Sequence, residues 1–315
     1  MDTIGVDIGG TKIAAGVVDE DGQILAQAKR DTVPGDPAEI DRAVADLFLE
    51  LSADHEVGAL GIAAAGFMSS DRRTALFGPN VAWRAYPLRD RVAELVGRPD
   101  LKIVVENDAN AAGWAEFRFG VGRDVDDMLM LTVGTGLGGA VVVDGRLVRG
   151  AWGVAAEVGH VRVVPEGHLC GCGQRGCWEQ YASGSALVRE ARAVAATQPD
   201  RAARLLELAG GDPAQVSGPS VTLAASEGDP LSIALLADLG RWIGAGAASV
   251  AALLDPALVV VGGGVGEARD LLVAPAREAF SAHMSARGYH PEARIELAAM
   301  GNEAGIVGAA DLARL

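Results

Sequence analysis

His160 is followed by Cys170, Cys172 and Cys177, the chain's three cysteines. Thiolate and imidazole are good zinc ligands, and three sulfurs with one ring nitrogen complete a tetrahedral Zn²⁺ site. No position is left for water, so such a metal is structural. Gly171, Gly173 and Gly176 allow the tight knuckle this spacing requires. The alternative is three buried free thiols, but Cys-x-Cys between glycines has little packing value. An odd, clustered count also makes a poor disulfide framework.

A second chemistry lies in the carboxylate and amide run Glu106-Asn107-Asp108-Ala109-Asn110, where an apolar strand passes into a helix. A carboxylate at a helix N-terminus is favoured by the helix dipole, so Asp108 could be an ordinary cap. It could equally be a base, because the carboxyl end of an α/β strand is where ligands usually bind.

Glycine-rich turns supply the third chemistry. Asp7 precedes Gly9-Gly10-Thr11-Lys12, and Gly134-Thr135-Gly136 repeats the arrangement more than a hundred residues later. Without a Cβ, and with positive φ accessible, such turns let backbone N–H groups approach phosphate oxygens. Thr11 and Thr135 add hydroxyls at matching points, and Asp7 is placed to serve Mg²⁺. Taken singly, each turn is as well explained as a tight hairpin. Gly262-Gly263-Gly264 follows an apolar strand and precedes a helix, which suits a phosphate or merely a sharp turn. Two motif matches fail on context. Gly5 to Lys12 resembles a P-loop and Gly134 to Gly139 a dinucleotide fingerprint, but a strand follows each where a helix is required.

These residues must be held by a mixed α/β fold. Both glycine turns sit in like units of strand, turn, strand, acidic-Gly turn and strand, which suggests two similarly built domains. Asp36, Pro37 and Glu39 have the pattern of a helix start, and Ile40, Val44, Leu47 and Leu51 share one helical face. Further helices are predicted over 87–96, 109–119, 181–196, 230–254, 267–283 and 303–315, and strands over 58–63, 102–106 and 258–261. Residues 210–220 read as a polar loop.

Composition limits the function. Lys plus Arg number 27 against 42 Asp plus Glu, a net charge of −15 in 315 residues. That field repels nucleic acid, and no basic stripe offsets it. The pairs Lys29-Arg30 and Arg72-Arg73 read as isolated, solvated surface. The most apolar stretch, near Leu235 to Leu254, is interrupted by Asp238 and Arg241 and reads as a buried helix rather than a membrane span. No signal segment opens the chain, and the expected compartment is the cytoplasm.

Together these segments resemble the ROK family, which joins bacterial sugar kinases with related repressors, and most closely its glucokinases. The likeness runs over essentially the full length. Asp7 to Lys12 and Gly134 to Gly139 resemble the family's two phosphate motifs. Glu106 to Asn110 resembles its catalytic segment. Glu157-Val158-Gly159-His160 with Cys170, Cys172, Cys177 and Glu179 resembles its sugar and zinc signature. The resemblance implies an actin-like (ribonuclease H-like) fold with the active site in an interdomain cleft. Residues 1–109 and 302–315 would form a small domain, and residues 110–301 a larger one with the zinc motif and oligomer contacts.

The implied reaction is ATP-dependent phosphorylation of glucose at its 6-hydroxyl, with Asp108 as base, Mg²⁺ accompanying ATP and Zn²⁺ in the knuckle. The implied sugar contacts are Gly66, Asn80, Asn107, Asp108, Glu157, His160 and Glu179. The phosphate side falls to Asp7, Gly9, Gly10, Thr11, Lys12, Gly134, Thr135, Gly136, Gly263 and Gly264. A homodimer or homotetramer is expected. Ala156 departs from the pattern, since relatives often carry glycine there. Kinases for N-acetylmannosamine, N-acetylglucosamine or fructose are alternatives, as is polyphosphate as donor. A sugar-sensing repressor would need a DNA-binding segment, and only Met1 to Thr3 precede the first apolar strand residue.

Overall fold

The computed structural model describes residues 1–78 and 81–315, so Asn80 lies outside the described residues. The chain divides into two compact units. The first comprises residues 1–126, 140–156 and 299–315, and the second residues 127–139 and 157–298.

In chain order the strands are β1 (Asp2–Ile8), β2 (Lys12–Val18), β3 (Ile24–Asp31), β4 (Val57–Ala64), β5 (Phe67–Met68), β6 (Ala75–Phe77), β7 (Arg84–Tyr86), β8 (Lys102–Asn107), β9 (Met128–Val133), β10 (Leu137–Val143), β11 (Arg146–Leu147), β12 (Leu258–Gly262) and β13 (Arg294–Leu297). The helices are α1 (Pro37–Leu51), α2 (Leu88–Val96), α3 (Asp108–Arg118), α4 (Gly184–Thr197), α5 (Ala203–Leu208), α6 (Gly218–Ser226), α7 (Pro230–Leu254), α8 (Asp270–His283) and α9 (Ala304–Arg314).

The first unit is built on a sheet of order β3-β2-β1-β4-β8. The hairpins β1–β2 and β2–β3 are antiparallel, whereas β1–β4 and β4–β8 are parallel. β1 is apolar on both faces because helices cover both. Ile40, Val44, Leu47 and Phe48 of α1 join Ile4, Val6 and Ile62 in one cluster. On the other side α9 lies against the strands backbone to backbone. A Cβ on Gly5 would stand 1.9 Å from the Ile306 carbonyl oxygen, and one on Gly61 1.8 Å from that of Ala309. Glycine there sets the helix–sheet distance.

A second sheet has the order β11-β10-β9-β12-β13, with β9, β12 and β13 parallel. In the second unit α7 packs on α8 by the same device: Cβ atoms on Gly240 and Gly244 would meet the Leu272 and Ala276 carbonyls at 2.4 and 2.0 Å. α7 is the one helix among the described residues long and apolar enough to cross a membrane, and half of its most apolar stretch is buried inside the protein. That burial agrees with the reading of a core helix.

Several boundaries differ from expectation for physical reasons. Residues 178–180 form a 3-10 turn, and the following helix waits for the Ser183 cap, whose side chain accepts from Ala186 N. Residues 264–268 likewise form a 3-10 turn ahead of α8. The polar stretch 210–220 is not merely a loop: Asp212 caps a 3-10 turn, and Ser217 accepts from Ser220 N to open α6.

Candidate active site

Parallel pairing brings the first unit's candidate site residues to one edge. In the β1–β4–β8 register Asp7 pairs with Ala63 and Ala63 with Glu106, while Ile8 and Asn107 both pair with Ala64. Asp7, the Gly66 turn and the Asn107-Asp108 step therefore leave the sheet together at its carboxyl edge, the usual ligand position in such sheets.

The local chemistry there separates two carboxamide and carboxylate roles. Asn107, not Asp108, is the N-cap of α3: its Oδ1 accepts from Asn110 N at 3.0 Å. Its Nδ2 donates to the Gly66 carbonyl at 3.0 Å, anchoring the other end of the amide. Gly66 is required, since φ is +128° and a Cβ would fall 2.1 Å from the Phe77 carbonyl oxygen. The alternative that Asp108 is an ordinary cap does not hold, since Asn107 occupies that position. Asp108 is the first helical residue, and its Oδ1 accepts from the adjacent Ala109 N at 2.9 Å.

Burial pushes the Asp108 carboxyl above the usual aspartate range, partly opposed by neighbouring hydrogen bonds from the Ala109 and Asp108 amides and from Asn107. Burial, reinforced by the Asp108 charge, pushes Asp7 up to about 6. The two carboxyl groups thus share one electrostatic environment, suited to a base beside a cation site.

The first glycine turn is tied down from outside. Gly9 N donates to the Lys12 carbonyl at 2.9 Å, and the Thr32 hydroxyl to the Gly9 carbonyl at 2.8 Å. Gly10, Thr11 and Lys12 are exposed. None of Gly9, Gly10, Gly134 and Gly136 has positive φ, so these turns do not use the left-handed region that glycine makes accessible. Space is what counts at Gly136, where a Cβ would lie 2.7 Å from Glu179 Oε2.

In the second unit β9 and β12 end side by side, with Gly262 paired to Thr132. That pairing sets Gly263 against Val133, the residue that leads into the Gly134 turn. A Cβ on Gly263, which has φ +88°, would strike the Val133 carbonyl oxygen at 2.4 Å. Gly134 N donates to the Gly136 carbonyl at 3.0 Å, and its own carbonyl accepts from Gly184 N at 2.7 Å. No neighbour crowds the Cβ position of Gly264.

The zinc ligands converge as expected. One donor atom from each of His160, Cys170, Cys172 and Cys177 lies within 4.8 Å of all the others. Those separations and that donor set fit tetrahedral Zn²⁺. His160 Nδ1 lies 3.7 Å from Cys170 Sγ, which leaves Nε2 for another partner. The knuckle is braced by the bridges Arg162–Cys177 and Leu169–Arg175 and by His168 N, which donates to the Tyr181 hydroxyl at 3.0 Å. Glu179 connects it to the glycine turn: Oε1 is 3.1 Å from Cys170 Sγ, and Oε2 accepts from Leu137 N at 3.4 Å. Glu157 ends an irregular segment whose preceding residue, Ala156, has φ +66°.

Sequence reasoning missed a buried cluster. Arg72, read with Arg73 as solvated surface, instead approaches Glu106 with Nε 3.5 Å from Oε2, and only Arg73 keeps to the surface, paired with Asp90. Arg149 reaches the same Glu106 oxygen. Nothing in the sequence marks residues so far apart as partners.

The sequence profile of the ROK family matches residues 3–315. The chain belongs to the ROK family. Among ROK proteins it is 48% identical to a glucokinase from Streptomyces coelicolor over 99% of this chain and 97% of that one. It is 34% identical to an N-acetylmannosamine kinase from Yersinia pseudotuberculosis, over 84% of this chain and 83% of that one. The crystal structure of a ROK glucokinase from Streptomyces griseus, in complex with glucose and AMPPNP, superposes with a TM-score of 0.89 at 50% identity, covering 100% of this chain and 99% of that one. The actin-like ROK sugar kinase fold expected from the motifs is the fold of this chain.

Proposed function

We propose that this chain is a glucokinase, transferring the γ-phosphoryl group of ATP to the 6-hydroxyl of glucose. The observation that carries the chemistry is the division of labour at α3, where Asn107 caps the helix and leaves the Asp108 carboxylate for a substrate. The choice of glucose rests on likeness to glucokinases over the whole chain. In this reading Asp108 accepts the hydroxyl proton as that oxygen attacks the γ-phosphorus in line. Asn107, Gly66, Glu157, the His160 Nε2 atom and Glu179 orient the sugar, because each hydroxyl both donates and accepts. Asn80 belongs to the same proposed set.

Asp7 and the turns Gly9 to Lys12, Gly134 to Gly136 and Gly263-Gly264 hold the nucleotide phosphates. Mg²⁺ bound with the nucleotide would supply charge neutralisation beside Asp7. Zn²⁺ in the knuckle would fix the orientation of His160 and leave its second ring nitrogen to the sugar. We place the small domain at residues 1–109 with 302–315 and the large one at 110–301. The enzyme works in the cytoplasm as a homodimer or homotetramer.

Initial rates with ATP across glucose, mannose, fructose, N-acetylglucosamine and N-acetylmannosamine test the substrate. Glucose should have the highest kcat/KM, and a clear preference for N-acetylmannosamine would replace this reading with that of the other relative. Asp108→Asn should lower turnover by at least ~10², the scale of lost general-base help, and leave glucose affinity within a few-fold. Near-normal turnover in that variant would remove Asp108 from its role.

A further inference from the structure

Glu106 is 3% exposed, and it stands one residue before the Asn107-Asp108 step. Its two oxygens face different partners. Oε1 accepts from Asn107 N at 3.1 Å and from Asn110 Nδ2 at 3.0 Å. Oε2 accepts from Arg149 Nε at 2.6 Å and lies 3.5 Å from Arg72 Nε. The Arg149 bond is charge-assisted, short and directional, whereas Arg72 contributes proximity of charge without a hydrogen bond, and a buried carboxylate that lost such a partner would be costly.

The surroundings are over-determined. Arg72 has φ +60°, a conformation an arginine adopts only under constraint. Its carbonyl accepts from Val105 N at 3.1 Å, and its NH2 donates to the Leu312 carbonyl at 3.2 Å. One buried carboxylate thus meets two guanidinium groups, and burial together with the Arg149 charge lowers Arg72 to about 10. A hydrophobic contact would fill this space at less desolvation cost, so packing alone does not account for the cluster.

We propose that Glu106 and Arg149 are positioning residues for the reaction proposed above: Arg149 fixes the Glu106 carboxylate, which fixes the Asn107 amide and the Asn110 side chain. Asn110 N is in turn held by the Asn107 side chain. The first turn of α3 is clamped on both sides of Asp108, and the direction of its carboxylate follows from that clamp. Neither Glu106 nor Arg149 needs to touch a substrate. A displacement of about 1 Å in a reacting group can cost on the order of 10²-fold in rate.

The test compares the full-length wild type with Asp108→Asn, Arg149→Gln, Arg149→Lys, Glu106→Gln and the double variant Glu106→Gln/Arg149→Gln. Arg149 is about a quarter exposed, and urea unfolding of each variant fixes its folded fraction, so that rates are compared per folded molecule. Arg149→Gln should lower kcat for glucose by about 10- to 100-fold, with glucose Kd by titration calorimetry within roughly 3-fold of wild type. Arg149→Lys should recover most of the rate, because a single N–H···O bond is used. The double variant should be no slower than the slower single variant, since both cut one link.

Wild-type kcat in folded Arg149→Gln, beside a slow Asp108→Asn, would overturn the positioning role and leave the kinase reading intact. A rate loss that merely follows the fraction unfolded would overturn it too. A wild type that fails to phosphorylate glucose would remove both.

Discussion

Asp7 is costly to the fold, a cost that its proposed place beside the metal–nucleotide complex would explain. Its carboxyl is pushed up to about 6 by burial and by the neighbouring Asp108 charge. An acid with a raised folded-state pKa favours the folded state while protonated and penalises it once ionised. Stability should therefore fall as pH rises from about 4, the ordinary aspartate range, through 6, where the folded chain binds the extra proton. Asp7→Asn removes this penalty. At pH 8 without nucleotide the variant should be more stable than wild type by about 3 kcal/mol in urea unfolding, with the difference vanishing near pH 4. Equal stability of the two proteins at pH 8 would refute the burden assigned to Asp7. Turnover should nonetheless fall, because the same carboxylate is the proposed partner of the metal–nucleotide complex. Ala156 carries a smaller burden. At φ +66° it occupies the left-handed region, which costs a residue with a Cβ roughly 1–2 kcal/mol. Glycine returns about 0.4–1 kcal/mol of that through unfolded-state entropy. Ala156→Gly should thus stabilise the protein by about 0.5–1 kcal/mol, read as a higher urea midpoint at unchanged slope. The sequence identified Ala156 as a departure, but only the backbone angle explains why glycine suits the position.

At the scale of elements, legibility followed capping and side-chain pattern. Asp36 accepts from Ala38 N and Glu39 N as its spacing implied, and α7 spans the stretch read for it, opened by Asp229 with Pro230 behind it. The paired strand–turn–strand units were readable because Asp-Gly turns and alternation are local signals. The small sheet β5-β6-β7, the edge strand β13 and the short helices α5 and α6 were not read, because two- to nine-residue elements are specified by tertiary contact more than by period. The knuckle is the element whose integrity depends most on a bound ion. Removing zinc leaves three thiols and an imidazole joined by weak sulfur contacts, in a segment held by two isolated bridges and a few turn hydrogen bonds. In verified metal-free protein, amide exchange over residues 160–179 should rise well above that of β9 and β12, which are buried parallel strands. Glucose affinity should weaken by about 10-fold or more, because Glu179 bridges Cys170 and Leu137 N. Unchanged exchange and unchanged affinity after chelation would detach the knuckle from sugar binding.

At the scale of the whole molecule, charge was the most legible property and pairing the least. The motifs singled out Asp7, Asp108, the glycine turns and the Cys/His cluster as candidates because each is a short run of unusual residues. The Glu106–Arg149 bond joins residues 43 apart, and no local pattern records it. Arg72 was misread for the same reason: an arginine in a polar stretch resembles solvated surface until its partner is found. The net charge of −15, by contrast, needs no fold to be counted. The charge that repels nucleic acid also repels the ATP–Mg²⁺ complex, which is itself an anion. Screening extends over about 30 Å at 10 mM salt but only about 8 Å at 150 mM, so salt should suppress this long-range repulsion first. Hydrogen bonds from the turn amides act at contact distance and are screened far less. The KM for ATP should therefore fall about two- to three-fold as sodium chloride is raised from 10 to 150 mM at saturating glucose and fixed free Mg²⁺, the reverse of a site governed by basic side chains. The KM for glucose, which is uncharged, should stay constant over the same series and serves as the internal control. If KM for ATP instead rises with salt, local cations such as Lys12 outweigh the field of the whole protein. The phosphate site would then be ruled by ionic contacts rather than by the backbone of its glycine turns.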